Sequence, residues 1–321
     1  MATVMENMKI DSKEFFGKDL LTLADYTPEQ IQYLLDLANY IKDKTKNGIP
    51  YQPLKGKTLG MIFEKSSTRT RVSFEVGMFQ LGGHALFLSS NDIQIGRGET
   101  IADTARVLSG YLDGIMIRTY SQADVEELAA YASIPVINGL TDLYHPCQVL
   151  ADFQTMMEIK GSLKGQKLVY IGDGNNMAHS LMIGAAKMGI EMVVVAPEAY
   201  FPDEGITKKA QEIAKQHDGK IRLLTDPAEA VEDADFIYTD VWASMGQEQE
   251  QTKRLNDFVD YQVNETLLAK AKSDVTFLHC LPAHRGEEVT EEVLEGKHSV
   301  VFQQAENRLH AQKALLTALM S

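Results

Sequence analysis

The sequence is poor in several features, and each shortage excludes something. Its 321 residues include two cysteines, one tryptophan and nine prolines. Cys147 and Cys280 are too few for a disulfide framework and suit a reducing cytosol. No apolar run approaches the roughly 18 residues that a membrane span requires. The N-terminal stretch MATVMENMKIDSKEFFGKDL lacks both the apolar segment of a secretory signal and the arginine content of an organelle transit peptide. There is no low-complexity run and no repeat at a solenoid period. Basic residues are the minority, 31 Lys plus Arg against 45 Asp plus Glu, for a net charge of −14. Nucleic acid and anionic membranes repel such a chain, so neither is expected as a partner. Any anion it binds must be held by a few local cations working against the overall field.

What is present is the pattern of an α/β protein. The chain is 44% hydrophobic and 24% charged, ordinary for a globular protein, and its length suggests two domains. Short apolar runs alternate with helical periods. Thr27-Pro28-Glu29-Gln30 is a capped helix start, followed by Ile31, Leu34, Leu35, Ala38 and Ile41 on one face. Thr58 to Phe63 reads as a buried strand that runs into the capping cluster Ser66-Ser67-Thr68. Thr100 caps a further helix, and a short strand ends at Arg118. His145-Pro146-Cys147-Gln148 opens a long helix, and Gly161 to Gly165 resembles a boundary. Further strands are expected at 167–171, 192–196, 221–224, 236–239, 275–278 and 300–302. Strands alternating with helices imply parallel sheets covered on both faces. The expected architecture is two open parallel-sheet α/β domains, 1–148 and 149–303. A C-terminal helix, 304–321, packs back on the first.

Open parallel sheets bind ligands at the carboxyl ends of their strands. The residues expected there are Glu64 to Arg71, Arg118, His145, Gly172 to Asn176, Asp240 and His279-Cys280. In the first set, three hydroxyl residues at a helix start leave backbone N–H groups for an anion, and Arg69 adds a forked donor. A capped helix with solvated arginines fits the local pattern equally well. No Walker motif is present. Arg69 and Arg71 are two apart and cannot share a helix face, so at least one serves structure or pairs with Glu75.

Several segments together resemble the aspartate/ornithine carbamoyltransferases. Phe63-Glu64-Lys65-Ser66-Ser67-Thr68-Arg69-Thr70-Arg71 is similar to their carbamoyl-phosphate motif, and His145-Pro146-Cys147-Gln148 to their second. Asp240-Val241-Trp242-Ala243-Ser244-Met245-Gly246 and His279-Cys280-Leu281-Pro282 resemble the pair that marks the ornithine branch. Ala305-Glu306-Asn307-Arg308 resembles its C-terminal motif. The resemblance covers nearly the whole chain. It implies a carbamoyl-phosphate domain followed by a Rossmann-like ornithine domain, and attack of ornithine's side-chain amine on carbamoyl phosphate to give citrulline and phosphate. By that resemblance Ser67, Thr68, Arg69 and Thr70 hold the phosphate, with Arg308 as a further donor. Arg118 and His145, with Thr70, polarise the carbonyl, and Gln148 binds the carbamoyl amide. Cys280 and Leu281 also line the carbamoyl-phosphate site. Asp240 and Cys280 orient and activate the amine, while Asn176, Ser244 and Met245 hold the α-amino and α-carboxyl groups. Neither metal nor cofactor is implied, because arginine supplies the positive charge. A cytoplasmic homotrimer, or an assembly of trimers, is expected, with Gln94 reaching a neighbouring subunit's site.

Other readings compete. Gly172-Asp173-Gly174-Asn175-Asn176-Met177 is a partial dinucleotide fingerprint with Met177 in place of the third glycine. Cys147, Cys280, His145 and His279 lack zinc-site spacing, and His279 and Cys280 would point apart on a strand. A non-enzymatic protein on this fold is a third reading. Within the family, putrescine is the alternative amine, one that would not require Ser244-Met245-Gly246.

Overall fold

The computed structural model describes residues 12–90, 93–95, 98–243 and 250–321. The chain forms two compact units. One holds the residues up to Gln154 together with Glu306–Ser321, and the other holds Thr155–Ala305. The division points lie inside the helices Pro146–Lys160 and Val301–Met320, rather than at residues 148 and 303 or at Gly161 to Gly165. That glycine-bounded segment is instead the turn leading into the first strand of the second unit.

The first unit is built on four parallel strands, β1 (Thr58–Phe63), β2 (His84–Ser89), β3 (Gly114–Arg118) and β4 (Val136–Leu140), in the order β2-β1-β3-β4. From β1 the chain moves outward to β2, whereas β3 leads to β4 on the other side. The sheet's switch point therefore lies between β1 and β3. Ile62, Ile115, Ile117 and Val136 pack against Ala105, Val125 and Leu128 from the covering helices. The helix Pro28–Lys46 carries the expected capping box, with the Thr27 side chain and the Gln30 side chain each bonded to the other's backbone N–H. Thr68–Gln80 is capped by Ser67, whose hydroxyl accepts from the Thr70 N–H at 3.2 Å. It stops at Gly82, which takes the left-handed φ of +85°. β2 is absent from the sequence expectation. Its apolar run Ala85-Leu86-Phe87-Leu88 is too short for periodicity to assign, and in the fold it is an edge strand with Leu86 and Phe87 exposed.

Helix Thr68–Gln80 also meets the C-terminal helix through a buried polar contact. Lys313 donates to Thr45 Oγ1 and Gln80 Oε1, both at 2.8 Å. Burial pushes this ammonium from its ordinary 10.5 down to about 8. Between those values the unfolded chain holds a proton that the folded chain has lost, so this site's contribution to stability rises as pH rises through the window. We expect Lys313→Met to flatten the pH dependence of the urea midpoint between pH 8 and 10 relative to the parent protein. Identical slopes in the two proteins would show that Lys313 is not depressed.

The second unit contains β5 (Lys167–Ile171), β6 (Glu191–Val195), β7 (Lys220–Leu224), β8 (Phe236–Thr239) and β9 (Thr276–His279). They form one parallel sheet in the order β7-β6-β5-β8-β9. Here the switch point lies between β5 and β8. Val169, Ile171, Val193, Val195, Ile237 and Phe277 form the centre of its core. The strand expected at 300–302 is not formed. Ser299 makes a single bridge to Phe277, and the helix Val301–Met320 begins at once with Val301 buried in the core. A three-residue apolar run cannot distinguish the last step of a sheet from the first turn of a helix.

Candidate active site

Each unit gathers its chemistry-bearing side chains at its own switch point, where the helices on either side of the crevice diverge and leave room for a ligand. In the first unit, β1 delivers Ser67 to Thr70 and β3 ends on Arg118. A bulge between Ile117 and Arg118 shifts the pairing with β4. Glu64 accepts from the Thr119 hydroxyl, and Lys65 pairs with Asp142 beneath the Tyr120 ring. These contacts tie together the segments that follow β1, β3 and β4. The sequence places Glu64 and Lys65 at the end of β1 but does not single out Thr119, Tyr120 or Asp142, because a distant partner leaves no local signal.

His145 stands immediately before the helix Pro146–Lys160 and is buried. Its imidazole is held well below the usual histidine range, first by burial and then by the charges of Arg308, Arg118 and Arg69. It is therefore neutral at pH 7. All three guanidinium groups are near enough for their charge to act on this ring. Arg308, 2% exposed, donates to Gln148 Oε1 at 2.6 Å and Thr70 Oγ1 at 3.1 Å. Gln148 passes the chain on to Asp152 Oδ1 at 2.8 Å. Arg69 has no carboxylate within 4.0 Å among the described residues, whereas Arg71 pairs with Glu75 at 3.1 Å and lies over the Phe87 ring. The two arginines thus divide as their spacing requires. The structure brings Thr70, Arg118, His145, Gln148, Arg69 and Arg308 together, with Ser67 and Thr68 at the adjoining helix start. Gln94 is exposed, beyond β2, and makes no contact with them among the described residues.

Cys147, next to His145, is fully enclosed. Burial pushes its thiol up to about 12, and its Sγ lies 3.4 Å from the Asn138 carbonyl. A thiol so protonated serves packing.

In the second unit Asp240 follows β8 and accepts three hydrogen bonds. Cys280 Sγ at 3.1 Å and the Val241 N–H at 2.8 Å reach Oδ1, and Asn175 Nδ2 at 2.9 Å reaches Oδ2. Asn175 also caps the helix Asn176–Lys187 by accepting from the Met177 and Ala178 N–H groups. Tyr170, whose phenol is pushed upward by burial and by Asp240, donates to the Asp173 carbonyl and to Asn175 Oδ1. Sequence reasoning chose Asn176, half-buried in the first turn of the same helix, and passed over Asn175. A cap preference for Asn at that position is the signal that could have found it. Arg254 was also missed. It donates to the Trp242 carbonyl at 2.9 Å and pairs with Asp173 at 2.9 Å and Glu250 at 3.1 Å. Ser244 and Met245 lie outside the described residues.

Leu281 has φ of +58°, a conformation that costs a branched residue about 1–3 kcal/mol. Its N–H is held by His279 Nδ1 at 2.8 Å. Because a backbone N–H can only donate, the His279 proton sits on Nε2, which faces Glu288 Oε1 at 3.0 Å. Asp240, His279 and Cys280 place ligand-type atoms within 4.8 Å of one another. The expectation that His279 and Cys280 point apart therefore fails, since β9 ends at His279 and strand alternation stops there. Both imidazole nitrogens are engaged, so these three residues do not form a ready metal site.

The dinucleotide reading meets a steric obstacle. A Cβ on Gly174 would lie 2.2 Å from Pro202 N, so this glycine accommodates the chain's own backbone. The Asn175 side chain already occupies the helix N–H groups that a pyrophosphate would need.

Comparison with known proteins also divides the chain in two, although there the C-terminal helix falls within the second match. Residues 18–158 match the carbamoyl-P binding domain of aspartate/ornithine carbamoyltransferase, and residues 164–319 match its Asp/Orn binding domain. A protein of Oceanobacillus iheyensis named ornithine carbamoyltransferase is 69% identical over 321 residues, 100% of both chains. The solved ornithine carbamoyltransferase from Pyrococcus furiosus has a TM-score of 0.93 at 59% identity, covering 95% of this chain and 98% of its own. The ornithine transcarbamoylase of Giardia lamblia gives 0.85 at 34% identity, covering 94% and 97%. The chain belongs to the aspartate/ornithine carbamoyltransferase family.

Proposed function

We propose that this chain is a carbamoyltransferase that joins carbamoyl phosphate and L-ornithine to give L-citrulline and phosphate. The observation that carries the reading is the clustering of Arg69, Arg118 and Arg308 about a neutral His145, beside the start of helix Thr68–Gln80. A doubly negative phosphate with a carbonyl attached matches that charge. Ser67, Thr68, Arg69, Thr70 and Arg308 hold the phosphate, and Gln148 takes the carbamoyl amide. Arg118 and His145 donate to the carbonyl oxygen as it becomes an oxyanion. Being neutral, His145 donates one N–H without adding a fourth positive charge to the pocket.

Ornithine contributes the nucleophile. Its side-chain ammonium must lose a proton before the nitrogen can attack the carbamoyl carbon. A C–N bond forms, the C–O bond to phosphate breaks, and the amine gives up a second proton. Asp240 binds the cation and, with Cys280, orients the nitrogen. Asn176, Ser244 and Met245 hold the amino-acid end.

Assembly into a homo-oligomer, a trimer or a group of trimers, fits the outer face of helix Thr68–Gln80. There Val72, Val76 and Phe79 are exposed, Phe79 by 79%, next to Leu86 and Phe87 on the edge strand. Such a face asks for a partner, and Gln94 would enter a neighbouring site from the same side. No helix among the described residues is long and apolar enough to cross a membrane. The two free thiols suit a cytoplasmic setting.

The test is the ratio of kcat/KM for ornithine and putrescine in a citrulline-forming assay. A site that hydrogen-bonds an amino-acid head rejects an analogue lacking it by on the order of 10⁴. Preference for putrescine would overturn the substrate assignment, and no turnover of either amine would overturn the reaction.

A further inference from the structure

The turn that follows Pro282 carries a second cluster of ligand-type side chains, separate from Asp240 and Cys280. His284, Glu287 and Glu288 each offer one atom, and all lie within 4.8 Å of one another. His284 Nδ1 is 3.3 Å from Glu287 Oε2. Bonds of about 2.0–2.1 Å around a tetrahedral Zn²⁺ place ligand atoms about 3.3 Å apart. A histidine–carboxylate contact has the same length, so that distance alone does not discriminate.

Glu288 does. It is 0% exposed, and its two oxygens are unequally served. Oε1 accepts from the His284 N–H at 2.7 Å and faces His279 Nε2 at 3.0 Å. Oε2 is buried and has no hydrogen-bond partner among the described residues. A buried carboxylate oxygen without a donor is costly, and a cation removes that cost. Local bases do not supply one. Arg285, within the same turn, is committed to Glu291 at 3.1 Å and Glu295 at 2.6 Å. Among the described residues, neither Glu287 nor Glu288 has a Lys or Arg within 4.0 Å.

We infer that His284, Glu287 and Glu288 form a binding site for a divalent transition-metal ion of the zinc class. One imidazole and two carboxylates balance the ion's charge and suit such a cation better than Mg²⁺, which favours six oxygens. The His284 side chain is 45% exposed, so an ion can reach the cluster from solvent.

The site is tested by calorimetric titration of ZnCl₂ into the full-length, reduced Cys280→Ser protein at pH 7. This background removes the thiol of the other cluster. One equivalent of Zn²⁺ should bind per chain, and His284→Ala or Glu287→Gln added to that background should each raise Kd at least tenfold. Both side chains are partly exposed, so neither change threatens the fold. Absence of uptake by the Cys280→Ser protein, or an unchanged Kd in the double variants, would overturn the assignment.

Discussion

Arg118→Ala should lower kcat by about 10²–10³-fold, equivalent to roughly 2.7–4 kcal/mol, the loss that follows removal of one preorganised oxyanion donor. Arg118 ends β3 at the switch point, is buried, and lies close enough to His145 to depress its imidazole. Its charge counts most when the carbonyl oxygen becomes negative, so the loss belongs to the transition state rather than to substrate binding. The dissociation constant for carbamoyl phosphate should change less than kcat, because the proposed phosphate donors Arg69 and Arg308 are left in place. Arg118→Lys should fall between the two, since a point charge replaces a planar fork. Single-turnover kinetics with saturating ornithine measure the chemical step directly. An unchanged rate in Arg118→Ala would remove this residue from the oxyanion role.

How much of this could be read in advance depends on how local the cause is. β1 and its capping serine were legible because a continuous apolar run meets a hydroxyl cluster within ten residues. The strand-end rule then picked out Arg118, His145, Asp240 and Cys280, since parallel sheets expose their carboxyl ends at one edge. What escaped notice depends on distant partners. Glu64 with Thr119, Lys65 with Asp142, and Arg254 with Asp173 are separated by 55, 77 and 81 residues (254 − 173), and each end looks like an ordinary surface charge or hydroxyl. Asn175 and Asn176 are neighbours in sequence, yet a helix start assigns them different tasks: the first caps and reaches Asp240, and the second enters the helix. β2 and the segment at 300–302 failed in opposite directions. Both are short apolar runs that periodicity does not assign: the former, passed over, forms an edge strand, and the latter, read as a strand, begins a helix.

Asp240→Asn should reduce kcat/KM for ornithine by about 10³-fold, roughly 4 kcal/mol, within the range for truncating a buried, hydrogen-bonded charge. The substitution keeps the shape and removes two things. The negative charge that attracts the ammonium is gone, and the side chain no longer accepts at both positions. The surroundings offer three donors to this carboxylate, from Cys280, Val241 and Asn175. An asparagine amide supplies one accepting oxygen and one NH₂ group, so at least one of those donors must face another donor. If the oxygen stays with Val241 and Cys280, the contact with Asn175 is lost and the helix cap is disturbed. If it turns to Asn175, the Cys280 thiol loses its anchor. Either way the nucleophile is held less well, and KM for ornithine should rise while kcat falls. Carbamoyl phosphate should bind within about twofold of the parent, because Thr70, Gln148 and Arg308 hold their contacts to one another without Asp240. That binding, followed by calorimetry, also reports that the variant is folded. A kcat/KM for ornithine within about threefold of the parent would remove Asp240 from recognition of the amine.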